Sequence, residues 1–137
     1  MKNNSLLLCA MLLLVLMNGI AGGADDPCAN PPDQRTMNRC ALEKAAKAED
    51  EAKQVYNHLI AKVGANSPEG QKIEAAEAAW SSYKDAYLQA CFPHALSPSG
   101  HTPTIYPLRQ GGIRQSLAKA HIDDLKNLLY LYGVDAK

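Results

Sequence analysis

The side chains here that could do chemistry are four cysteines, four histidines and a run of three acids. Cys9 lies inside an apolar opening segment, which leaves Cys28, Cys40 and Cys91 in the rest of the chain. Three is an odd number, so one intramolecular bridge can form and one thiol is left over. Cys28–Cys40 would clip a polar lead-in to the element that follows, and a closed loop of that size contributes roughly 3 kcal/mol. Cys40–Cys91 is the other pairing the layout permits. His58, His94, His101 and His121 are scattered, and no two stand at ligand spacing on one helix face, so no metal site is expected. Glu49, Asp50 and Glu51 are consecutive, and consecutive helical residues point in different directions, which argues against a catalytic carboxylate pair. Ser97 and Ser99 lie near His94 and His101 without a nucleophile-elbow or oxyanion signal. The sequence therefore reads as a non-enzyme with no cofactor.

Charge points the same way. Lys and Arg together number 14, equal to Asp and Glu, so neither nucleic acid nor an anionic membrane surface is an expected partner.

The elements that hold these residues read as helices behind an export signal. Residues 1–24 form a predicted signal peptide, with Lys2, an apolar core from Leu6 to Met17 and the small residues Ala21-Gly22-Gly23-Ala24. That core is shorter than the roughly 20 residues a spanning helix needs. Residues 25–137 are then one soluble, exported domain without a membrane span, periplasmic or secreted, in an oxidising compartment. Asp33 is the expected cap of a first helix running to Val63, with Gly64 ending it. Ala41, Ala45, Ala48, Ala52, Val55 and Leu59 alternate gaps of four and three, a narrow seam that a second helix can approach closely. Ser67-Pro68-Glu69 restarts a helix in favoured order. Its seam of Ile73, Ala76, Trp80, Tyr83 and Tyr87 would face the first, setting Trp80 opposite Ala52 and Cys91 level with Cys40. Tyr56, Trp80 and Tyr83 are expected in the core, and Glu51 with Lys84 as an ion pair across the hairpin. Pro93 to Gly112 reads as a long irregular loop with a helical turn at Ile105-Tyr106, and a third helix from about Ile113 to Tyr132 closes the fold. The fold class is all-α: a long antiparallel helical hairpin closed by a third helix and stapled by a disulfide.

Three stretches carry a resemblance: Met37-Asn38-x-Cys40-Ala41, Ala48-Glu49-x-Glu51-x-x-x-Val55-Tyr56, and Ala79-Trp80-x-x-Tyr83-Lys84-Asp85-Ala86. In this order, behind a signal peptide, they resemble the LprI-like family of small exported bacterial domains, named after a lysozyme inhibitor. The likeness covers Cys28 to Asp85 well and the third helix weakly. It departs where Glu49 stands for the family's Asp, Ala52 for its Leu, Lys53 for its Asn and Lys84 for its Arg. The family's C-x11-C pair implies the Cys28–Cys40 bridge; Cys91 is then a spare thiol, either buried and inert or a handle for a disulfide-linked dimer.

Two functions follow as expectations. The resemblance implies an envelope protein that binds and inhibits a lysozyme-type muralytic enzyme. Lysozyme clefts carry two carboxylates, so an inhibitor would present a loop with a cation and hydrogen-bonding tips; His101, Tyr106 and Arg109 are the candidates in the long loop. The alternative is a structural or interaction module of the envelope that inhibits no lysozyme.

Overall fold

The computed structural model describes residues 26–93 and 105–134. Three helices account for most of them: α1 (Gln34–Val63), α2 (Pro68–Cys91) and α3 (Tyr106–Leu131). Among the described residues there is no strand.

Each boundary has a local cause. The Asp33 carboxylate accepts from the Thr36 N–H at 2.7 Å, closing the open amino end of α1. The Gly64 N–H donates to the Ile60 carbonyl at 2.8 Å, and Gly64 turns the chain with a φ of 90°. Ser67 caps α2, its hydroxyl accepting from the Gly70 N–H at 2.9 Å and donating to the Gly64 carbonyl at 2.7 Å. Gly70 then passes so close to Gly64 that a Cβ would lie 2.1 Å from that carbonyl oxygen, so the tight turn requires glycine. Cys28 and Cys40 form the disulfide, with 5.5 Å between their Cα atoms, and pin the lead-in to α1.

The hairpin forms, but its alanine seam has a different occupant from the one expected. Ala45, Ala48 and Ala52 are buried against α3, whose own seam is Gly111, Ala118, Ile122, Leu125 and Leu129. Gly111 meets Ala41 near the start of both helices, while Leu59 meets Leu125 and Leu129 near their ends, so α1 and α3 run parallel. Small residues on both sides let these two backbones approach as no helix bearing Trp80, Tyr83 and Tyr87 could. Helix α2 runs antiparallel to the pair and stands off from it. Its buried residues are Gly70 and Ile73, both near the turn. Ile73 joins Leu59, Leu125 and Leu129 in the main core, bordered by Val55, Tyr56, Ile60, Val63 and Leu128. At the opposite end Phe92 is buried beside Tyr106, ring centroids 5.6 Å apart.

Helix α3 begins at Tyr106 rather than Ile113. The glycine pair Gly111-Gly112 reads as a breaker, yet the first of the two is what lets α3 lie against α1, and packing outweighs propensity. Tyr106 and Arg109 therefore belong to a helix and not to a loop.

Candidate functional site

Two groups of candidate side chains emerge, one between the helices and one at the α2–α3 end. The first is polar and ties α3 to both α1 and α2. Arg114 Nε donates to Glu49 Oε1 at 2.9 Å and its Nη2 to Glu49 Oε2, a two-pronged pair between α3 and α1. The Arg114 hydrogen bonds hold the Glu49 carboxyl below the usual carboxylate range; burial opposes this, and the charges of Arg114 and Lys84 add to it. The same pairing raises the Arg114 guanidinium. His121 is buried, with 5% of its surface exposed, and stacks on Trp80 with centroids 3.8 Å apart and planes 10° from parallel. Its Nε2 lies 2.7 Å from Glu77 Oε2. The Lys84 ammonium stands 5.3 Å from the Trp80 ring centre, on the π face that attracts cations.

This geometry corrects three expectations. Trp80 is half-buried, not sealed into the hairpin, and its partner is His121 rather than Ala52, which α3 already covers. Tyr83 is exposed, with its ring 5.8 Å from that of Tyr87, because α2 stands away from α1 there. Glu51 is exposed on the outer side of α1 and does not pair with Lys84; the carboxylate that Lys84 influences is Glu49, two positions earlier and on the inward side. Glu49, Asp50 and Glu51 do diverge as the helical period requires, the first inward and the other two exposed.

The remaining motif residues have plain roles. Ala41 offers the surface against which Gly111 packs. Asn38 Oδ1 accepts from Gln34 Nε2 at 2.8 Å, and Met37 is half-buried beside it. Tyr56 borders the core; its burial, with Glu74 and Glu77 nearby, raises its hydroxyl above the usual range. Asp85 is exposed. Cys28, Cys40 and Glu43 form a cluster of metal-ligand type, but both sulfurs are spent on the bridge. Sequence reasoning missed Arg114 and Glu77. The one signal was His121, which sits between Leu117 and Leu125 on an apolar face, where a buried imidazole needs a hydrogen-bond partner; nothing in local spacing named Glu77 or Arg114.

The second group lies at the α2–α3 end. Cys91, Phe92, Arg109, Gly112 and Ile113 line an open groove of about 440 Å³. Cys91 is a free, exposed thiol. Arg109 is exposed, and no ion pair reaches its guanidinium among the described residues. Of the three expected partner-binding residues, Tyr106 and Arg109 are on the first turn of α3, while His101, like His94, Ser97, Ser99 and the signal segment, lies outside the described residues.

Comparison with protein families matches the chain to the family described as Lysozyme inhibitor LprI, over residues 26–125. The chain belongs to this family. The match begins in the lead-in held by the disulfide and ends at Leu125 in the core, so the LprI pattern takes in α1, α2 and most of α3. The third helix, whose likeness in the sequence is weak, is thus part of the LprI unit, as its packing on α1 requires. No curated protein and no solved structure matches the chain.

Proposed function

We propose that this LprI-family chain is an exported, non-enzymatic envelope protein that binds and inhibits a lysozyme-type muralytic enzyme. The observation that carries the reading is the family match, which spans the stapled three-helix unit. The geometry agrees with a binding role. Part-buried Glu49 is paired with Arg114, and part-buried Glu77 with the buried His121. At the α2–α3 end, by contrast, Arg109 has no ion pair among the described residues and offers its cation from the first turn of α3, which also carries Tyr106. A lysozyme cleft, with its two carboxylates, is the complementary surface. His101 belongs to the same reading as a hydrogen-bonding contact. Residues 1–24 serve as the signal peptide, and among the described residues no helix is long and apolar enough to cross a membrane.

A specific observation favours the second reading, an envelope interaction module without lysozyme inhibition. Tyr130, Leu131 and Tyr132 are consecutive and exposed at the end of α3, with Tyr130 at 83% and Leu131 at 74%, and a run of exposed apolar side chains of this kind suits a partner contact. The exposed Cys91 thiol would serve that reading as the link in a covalent dimer. Adding the purified chain lacking residues 1–24 to lysozymes of several types decides between the two readings. Dose-dependent loss of lysis supports inhibition; full activity with every type, together with a stoichiometric non-lysozyme partner from a periplasmic extract, supports the module.

A further inference from the structure

Gly111 and Gly112 stand side by side in α3, and the fold explains one of them. A Cβ at Gly111 would lie 2.7 Å from the Ala41 carbonyl carbon, so the α1–α3 approach demands glycine there. A Cβ at Gly112 would meet nothing within 4 Å, and the backbone there has no left-handed φ. Glycine inside a helix is destabilising relative to alanine, and at Gly112 no contact among the described residues offsets that. Gly112 is one of the residues lining the groove at the α2–α3 end, and it brings no side chain into it. Phe92, buried beside Tyr106, and Ile113 give the groove an apolar lining, and Arg109, which has no ion pair among the described residues, adds one positive charge to it. The volume is within the range of small-molecule and side-chain sites.

We propose that this groove seats an apolar side chain of the protein partner with a carboxylate next to it, the apolar group over Gly112 and the carboxylate on Arg109. The inference rests on the inhibitor reading and sharpens it, because it names the contact. Charge complementarity selects the occupant: an apolar groove with a lone guanidinium favours an apolar anion over an apolar neutral or cationic group.

Cys91, on the groove wall, is a built-in reporter. The experiment measures iodoacetamide alkylation of Cys91 in the intact, disulfide-bonded protein, with 2-naphthoate as the apolar carboxylate and 2-naphthylmethanol as its neutral counterpart. The expected result is that naphthoate slows alkylation at least about threefold, that the alcohol does so far less, and that Arg109→Glu and Gly112→Trp each remove the protection. A Cβ at Gly112 meets nothing within 4 Å, and Gly112→Leu serves if the larger tryptophan disturbs the fold. Equal protection by both probes, no protection, or protection that survives both substitutions would overturn the proposal. Lysozyme inhibition is read on the same variants, where a loss of at least about tenfold in potency is expected, equal to about 1.4 kcal/mol. Inhibition by wild type that both variants retain keeps the inhibitor reading and removes the groove from it. Naphthoate protection without inhibition of any lysozyme keeps the groove chemistry and removes the inhibitor reading.

Discussion

The two neighbouring glycines of α3 make the packing of this fold testable with one substitution made twice. At Gly111 an alanine methyl would stand 2.7 Å from the carbonyl carbon of Ala41, 2.8 Å from its oxygen and 2.9 Å from its Cβ. Two of those atoms are backbone, so relief comes only by parting α1 from α3 along the seam that buries Ala45, Ala48, Ala52 and Ala118. Overpacking of this kind costs about 1–3 kcal/mol. Alanine returns about 0.5–1 kcal/mol through its better helix propensity and the lower entropy of its unfolded chain. Gly111→Ala should therefore lose about 0.5–2 kcal/mol net. At Gly112 the same methyl points into open space, so the propensity gain stands alone and the variant should gain about 0.5–1 kcal/mol. The two variants then differ by about 1–3 kcal/mol, which at roughly 4–8 °C per kcal/mol for a domain of this size is readily measured. Urea unfolding followed by the fluorescence of the single tryptophan, Trp80, and by circular dichroism gives both numbers. A Gly111→Ala variant as stable as wild type, or shifts of the same sign at both positions, would refute the close α1–α3 approach.

Three further outcomes follow from the described contacts. Glu49 has its carboxyl lowered by Arg114, so the stability this pair provides is fully present above the ordinary carboxylate value of about 4.3 and is lost as pH falls through the lowered folded value. Arg114→Met, expected to cost about 1–2 kcal/mol near neutrality because the pair is partly exposed, should approach wild-type stability in acid; a gap that does not change with pH would contradict the pairing. Replacing Cys28 and Cys40 by serine should cost about 2–5 kcal/mol, whereas Cys91→Ser should be close to neutral, and peptide mapping of unreduced protein should return a 28–40 pair; a 40–91 pair would overturn the staple. Trp80→Ala should cost about 1–3 kcal/mol, less than a fully buried ring, and should expose His121 to solvent, seen as a shift of its ring protons by nuclear magnetic resonance; unmoved His121 resonances would deny the stack.

How much of this was legible depended on whether a feature is local. The α1 caps at Asp33 and Gly64, and the Ser67-Pro68-Glu69 start of α2, were readable because capping is a contact between near neighbours in sequence. The alanine seam was readable as a seam, but not its partner. Periodicity reports which face is buried and says nothing about what covers it, and the short turn made α2 the natural occupant. The decisive residue was Gly111, whose type suggests a helix breaker until the approach of Ala41 is seen. The polar cluster was hidden for the same reason. Arg114 is 65 positions from Glu49, and His121 is 44 from Glu77, so nothing in local spacing joins them. The Glu51–Lys84 pairing failed because a two-residue step on a helix changes the face entirely, and Glu49 held the inward position.

The most direct measurement of the central claim is lytic activity of lysozymes of several types titrated with the purified chain lacking residues 1–24. The expected result is saturable inhibition of at least one type, near one-to-one stoichiometry, that weakens when Arg109 is reversed to Glu. Undiminished lysis by every type at a large excess of correctly bridged protein would contradict the inhibitor reading.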